Sequence, residues 1–391
     1  MNNYPSYLLN INLYVLLSLY SVIAILTSGL YSGDYLGMEV FSGGNSQYMI
    51  LLALIMILSQ ISIMYSLLFV KTGVKQHDNA TIKYISLILF TGITISYIGA
   101  IYFNYGVAGK FSEHKFGFIF KIIPIDIIIY FYIYKTFKKS NKLPWVMIIY
   151  YISLKVMTGW TGMIFYLAVF IATLKPHMIF NKKSLLLIFV MALLIPVVYA
   201  GKLYFRGYYP ALKSYMDMSI IDMYLYAIST YIDRLAYFQN NLVLLSKIDM
   251  IKDLSLNYID EFWYIKEFFG GFMPKGLLSL KVYNVENFMP MIAGKELDYG
   301  VSYITGILSK AIFVFNYGAL DFAIFISFIL VVMLSINKAL KYIFGKDSKL
   351  FFIFFMCPFL VTGHIGNLSI IFYGTFFYLM AQKIHMFLSR Q

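Results

Sequence analysis

Arginine is rare in this chain, and its placement is the first feature that points to chemistry. Of 31 basic residues among 391, three are arginines, Arg206, Arg234 and Arg390, and the rest are lysines. Lysine serves wherever a plain positive charge is enough. Arginine adds a planar fork that grips phosphate or carboxylate with two parallel hydrogen bonds and stays charged. Arg206 lies in KLYFRGYY and Arg234 in YIDRLAYF. On a helix, residues three, four and seven places from Arg234 share its face. These are Tyr231, Tyr237, Phe238 and Asn241, which together would offer rings and an amide beside the cation. The alternative for either arginine is a side chain that reaches to lipid phosphate or pairs with Asp217 or Asp233.

His364 stands in TGHIGN at the end of an apolar run. An imidazole there can serve as a general base, or it can simply hydrogen-bond a helix end. His77 and His114 lie in loops and carry less weight. Ionisable residues within apolar runs are costly and often functional. Here they are Lys121, Asp126, Lys155 and Asp321. The two lysines lie near run ends and can snorkel. Asp321 falls in a first helical turn, where the dipole favours an acid. Asp126 lies deeper, and the sequence offers it no partner. Asp260, Glu261, Glu267, Glu286, Glu296 and Asp298 are each potential acids or bases, but solvated charge is the expectation for them. Glu296 and Asp298 are only loosely spaced like a metal-binding pair, so no metal and no cofactor are expected. The single cysteine, Cys357, excludes an intrachain disulfide and a cysteine-based zinc site. Tyr208, Tyr209, Tyr258, Trp263, Tyr264 and Tyr283 supply flat rings that suit sugar faces or interfacial belts.

The elements that must position these residues follow from hydropathy. The chain is 61% hydrophobic and 13% charged, against about 25% charged residues in a soluble globular chain. Its mean hydropathy is +0.76. Lipid is therefore its main solvent, and the expected fold is all-α, a polytopic transmembrane helix bundle of about ten spans of about 20 residues each. Apolar runs place the spans near 7–27, 47–70, 84–103, 118–134, 143–158, 161–174, 185–200, 319–337, 350–367 and 370–388. Spans 1–7 thus occupy 1–200, one large loop occupies 201–318, and spans 8–10 occupy 319–391. The first run lacks a basic leader and a small-residue cleavage site, so it is expected to remain as a span.

Alternate short loops differ sharply in charge. One set carries fourteen lysines, from Lys71 to Lys349, and the other set only Lys110 and Lys115. The positive-inside rule then puts both termini in the cytoplasm and 201–318 outside. The net charge of +13 reflects this asymmetry, and no nucleic-acid partner is expected. Within the loop, apolar residues at three-to-four spacing predict an amphipathic helix over 219–247. Residues 258–272 are aromatic-rich, 273–300 read as structured loop, and a short helix leads into the eighth span. No internal repeat is visible, which weighs against a transporter of repeated halves.

This layout resembles the Wzy-type bacterial O-antigen or oligosaccharide repeat-unit polymerases. The resemblance spans essentially the whole chain. It is carried by the span number with one dominant outer loop, the tight corner TGWTG, Arg206 soon after a span, Arg234 on a loop helix, and GFMPKGLLSLKVYN followed by DYGVSYITGILSKAIFVFNYGALDF. Two departures matter. Trp160 stands at the corner where related sequences carry a basic residue, with Lys155 a turn earlier. Asp217 and Leu245 stand where a repeated Arg-x10-Gly motif would need glycine, so a mechanism built on that motif is not carried over.

The resemblance implies a periplasmic-face membrane glycosyltransferase in the bacterial inner membrane. Such an enzyme moves a growing glycan from undecaprenyl diphosphate to the terminal sugar of another lipid-linked unit. Arg206 and Arg234 would hold the diphosphate, and His364 would be the base. Lys155, Tyr231, Tyr237, Asn241, Lys275 and Tyr299 would bind substrate. The implied partners are the undecaprenyl-diphosphate-linked oligosaccharide, membrane lipid and a chain-length regulator protein. The alternatives are the sister O-antigen ligase, whose acceptor is the lipid A core, and a transporter of polysaccharide or lipid-linked sugar.

Overall fold

The computed structural model describes residues 8–28, 46–73, 81–107, 119–120, 122–160, 162–175, 193–205, 207–235, 238–255, 258–259, 262–270, 272, 285–292 and 306–388. Among these residues the structure is helical and contains no strand. In chain order the helices are α1 (Leu8–Ser28), α2 (Ser46–Ser66), α3 (Ile82–Phe103), α4 (Ile125–Ser140), α5 (Trp145–Met157) and α6 (Gly162–Leu174). Then come α7 (Ile195–Phe205), α8 (Tyr209–Met216), α9 (Ile220–Leu235), α10 (Phe238–Ser246), α11 (Ile248–Ser255) and α12 (Trp263–Gly270). The last are α13 (Val285–Ile292), α14 (Ile307–Phe315), α15 (Ala319–Phe344), α16 (Ser348–Thr362) and α17 (Ile365–Leu388).

The all-α class expected from the sequence is what forms. Three helical stretches among the described residues are long and apolar enough to cross a membrane: Leu8–Thr27, Ile82–Phe103 and Ala319–Thr362. At about 1.5 Å rise per residue, the first two reach about 30 Å, the thickness of a hydrocarbon layer. The third is 44 residues long. It is the pair α15 and α16, separated at Gly345, whose φ of 55° closes α15 before a short 3-10 turn. Helices α5 and α6, expected as the fifth and sixth spans, have 13 residues each, so each reaches about 20 Å. Much of the expected seventh span, 185–192, lies outside the described residues.

The chain divides into two compact units. Unit 1 comprises 1–6, 77–231 and 373–391, and unit 2 comprises 7–76 and 232–372. The division at 231/232 falls inside the stretch expected as the outer loop.

In unit 1 the fourth expected span is displaced. Its helix begins after Pro124, not at 118, because proline lacks the N–H that a helix interior needs but fits the start of one. It runs on to Ser140, with Lys138 and Lys139 in the last turn, where cations complement the dipole. Edge-on ring pairs fill the unit's core: Tyr130 with Phe170 at 5.1 Å and Phe131 with Tyr378 at 5.0 Å. Gly374 lies so close to Ile127 that an added Cβ would sit 2.5 Å from the Ile127 Cβ.

Unit 2 is built around α16. A helix that is apolar all round must be buried, and Phe351, Phe352, Phe354, Phe355, Met356, Cys357 and Phe359 are. Helices α1, α2, α14 and α15 pack against it. Phe351 stacks on Phe344 at 4.0 Å across the Gly345 turn. The 219–247 segment expected as one helix is described as α9 and α10, with 236–237 outside the described residues. Residues 273–300, expected as loop, contain helix α13. Val285, Phe288 and Met289 are fully buried at helical spacing, and that burial outweighs the local proline and glycine content.

Candidate functional site

Four ionisable groups of unit 2, Glu267, Glu286, Lys310 and His364, converge where α16 hands over to α17. Helix α16 ends at Gly363 with φ 60°, and His364 follows before α17 begins. The His364 ring caps that helix, its Nδ1 accepting the Asn367 N–H at 3.1 Å. Gly366 makes room for the ring: an added Cβ would lie 2.7 Å from the His364 Cε1 and 3.0 Å from Nδ1.

Glu267 reaches the same corner from α12. Its Oε1 accepts the Gly366 N–H at 3.3 Å. Its Oε2 is buried and makes no hydrogen bond among the described residues. Helix α12 is fixed in place by packing on both sides. The Phe268 ring meets Phe328 and Phe372 edge-on at 5.3 and 5.4 Å, and the Phe268 carbonyl accepts the Ser369 hydroxyl. Beside it, burial pushes the Tyr264 phenol up to about 12, with nearby Asp321 adding to the effect. The ring therefore stays neutral.

Glu286, in the first turn of α13, pairs with Lys310 of α14 at 2.7 Å, and both side chains are almost wholly buried, at 3% and 0% exposure. The Lys310 ammonium also donates to the Gly363 carbonyl at 2.7 Å and lies 5.8 Å from the Trp263 ring centre. This pair ties α13 and α14 to the carbonyl end of α16. Burying two charges is costly, so they persist only with close partners.

The donor atoms of Glu267, Glu286 and His364 lie within 4.8 Å of one another. Three such groups can in principle share a divalent ion. Two features of the donor set work against it. The Glu286 Oε1 is already held by an ammonium, and the His364 Nδ1 already accepts a backbone N–H. The arrangement is better matched to hydrogen-bonding and proton transfer, with one neutralised carboxylate, one carboxylate that has an oxygen unpaired among the described residues, and an imidazole.

Of the residues expected from sequence, His364 belongs to this cluster. Asn241 does not. Expected as a substrate-binding amide, it is 3% exposed, and its Oδ1 accepts Gly306 N–H and the Ser309 hydroxyl, the latter at 2.9 Å. It thereby caps α14. Lys155, also expected to bind substrate, lies in unit 1. Its ammonium lies 2.6 Å from Asp126 in a largely buried pair, and the Tyr151 hydroxyl donates to the same carboxylate oxygen at 2.7 Å. This supplies the partner that Asp126 lacked and uses up the Lys155 charge. Trp160, at the TGWTG corner, donates from Nε1 to the Gly106 carbonyl at 2.8 Å. Tyr231 and Arg234 lie on α9; their side chains, and Arg206, Tyr237, Lys275 and Tyr299 altogether, fall outside the described residues.

Sequence reasoning missed Lys310 and undervalued Glu267 and Glu286. A signal existed for Lys310, which interrupts the apolar ILSKAIFVF, where a cation demands a buried counter-ion. No family model, no curated protein and no solved structure matches this chain.

Proposed function

We propose that this chain is a membrane glycosyltransferase that polymerises lipid-linked oligosaccharide repeat units at the periplasmic face of the bacterial inner membrane. In this reading the growing glycan moves from undecaprenyl diphosphate to the terminal sugar of another undecaprenyl-diphosphate-linked unit. The product is O-antigen or a related surface polysaccharide. The reaction makes two demands. Charge developing on the departing diphosphate needs fixed cations, the role assigned to Arg206 and Arg234. The acceptor hydroxyl needs orientation and a base.

The observation that carries the reading is the cluster of His364, Glu267, Glu286 and Lys310. Proton-handling groups on α12, α13 and α14, all from the stretch expected outside the membrane, meet at the end of an apolar helix. In this reading the lipid headgroup and the acceptor hydroxyl meet at this helix end. The wholly buried Lys310 argues that the cluster is built, since a solvated charged face would not commit an ammonium to two partners.

The test is a deletion of the gene in its source strain, complemented with the wild type and with Arg206→Lys, Arg234→Lys and His364→Ala, read on a lipopolysaccharide gel. Loss of a polymerase leaves cores bearing one repeat unit, the pattern expected for each variant. Bare core, with polymer still on its lipid carrier, would instead identify a ligase. Full polymer length in both arginine variants would overturn the diphosphate assignment.

A further inference from the structure

We propose that Glu267 is the base that takes the proton from the acceptor hydroxyl, and that His364 is a positioning residue. This rests on the glycosyl-transfer reading above. Three groups in the cluster are candidates to accept a proton, and their hydrogen bonds separate them. The His364 Nδ1 lone pair is taken by the Asn367 N–H at 3.1 Å. That leaves the ring proton on Nε2, which then donates and does not accept. The Glu286 Oε1 is taken by the Lys310 ammonium at 2.7 Å. Glu267 is anchored through one oxygen only, Oε1 on the Gly366 N–H. Its other oxygen, Oε2, is buried and makes no hydrogen bond among the described residues. A carboxylate fixed at one oxygen, with the other buried but unpaired among the described residues, has the orientation and the lone pair that a base needs once the acceptor sugar displaces the groups covering it.

The neighbours fit the same division of labour. Gly366 both donates to Glu267 and leaves space for the His364 ring, so the two side chains are set by one backbone position. Lys310 fixes Glu286 and the Gly363 carbonyl just before His364, so the corner is held from below. In the step itself, the acceptor oxygen forms a bond to the anomeric carbon of the donor glycan. The bond from that carbon to the diphosphate oxygen breaks, and its electron pair leaves with the lipid diphosphate. The hydroxyl proton passes to Glu267 Oε2 and then to water.

The test uses the full chain in lipid nanodiscs with an undecaprenyl-diphosphate-linked repeat unit as both donor and acceptor. Glu267→Gln is expected to lower kcat by about 10²–10³-fold with KM little changed. Added formate is expected to restore part of the rate to Glu267→Ala, which repair of a merely structural defect would not do. His364→Gln is expected to fall by less than Glu267→Gln. Wild-type turnover in Glu267→Gln would overturn the assignment while leaving the polymerase reading intact. So would a deeper loss in His364→Gln with no formate rescue, which would make His364 the base. Activity abolished by a chelator and restored by magnesium or manganese would also overturn it, by making Glu267 a metal ligand. A wild-type chain that forms no polymer under these conditions would overturn the assignment and the polymerase reading together.

Discussion

Lys310 shows how a single residue can organise this corner. Its side chain is completely buried, and its ammonium is held by one carboxylate and one helix-end carbonyl. Removing one partner of such a pair strands the other charge, at a cost of about 3–5 kcal/mol, whereas replacing both with apolar groups is often close to neutral. Lys310→Met is therefore expected to be strongly destabilised, and Lys310→Met with Glu286→Leu to recover most of the loss. Unfolding of the detergent-solubilised proteins checks both. Gly366→Ala should behave differently: its methyl group would meet the His364 ring at under 3 Å. Polymer formation should drop steeply with a smaller fall in melting temperature. His364 was legible in the sequence, since a histidine at the end of an apolar run stands out. Glu267 and Glu286 were not. Each looks like an ordinary loop charge until chain folding supplies Gly366 and Lys310 from distant segments.

At the scale of elements, Asn241 is the fastening of α14, the helix that carries Lys310. Its amide oxygen receives both the Gly306 N–H and the Ser309 hydroxyl. Leaving such buried donors unpaired costs about 1–3 kcal/mol. Asn241→Leu is expected to raise amide hydrogen exchange across 306–310 more than elsewhere in unit 2, measured by mass spectrometry. An even change across the chain would contradict that role. Most apolar helices were readable from hydropathy because a lipid-facing helix needs an uninterrupted apolar run. The start of α4 was misplaced because Pro124 stops a helix that hydropathy alone would extend. Helix α13 was hidden because Pro290 and the flanking glycines read as loop, while the burial of Val285, Phe288 and Met289 is a tertiary effect.

For the whole molecule, orientation in the membrane is the property on which the proposed chemistry depends. The single cysteine, Cys357, is fully buried, so Cys357→Ser gives a background free of thiols. In it, Met250→Cys is expected to react with an impermeant maleimide added to spheroplasts. Lys139→Cys is expected to react only after the membrane is opened. Both native side chains are exposed, so accessibility reports sidedness and not burial. The opposite pattern would put 201–318 in the cytoplasm and remove the periplasmic reading.

The most direct measurement is the product pattern of the purified wild-type chain in nanodiscs, supplied with an undecaprenyl-diphosphate-linked repeat unit and no nucleotide sugar or lipid A core. Mass spectrometry should find a ladder of glycans growing by whole repeat units. One undecaprenyl diphosphate should be released for each new bond. An unchanged lipid-linked unit, in a preparation shown to be folded and to bind it, would contradict the account.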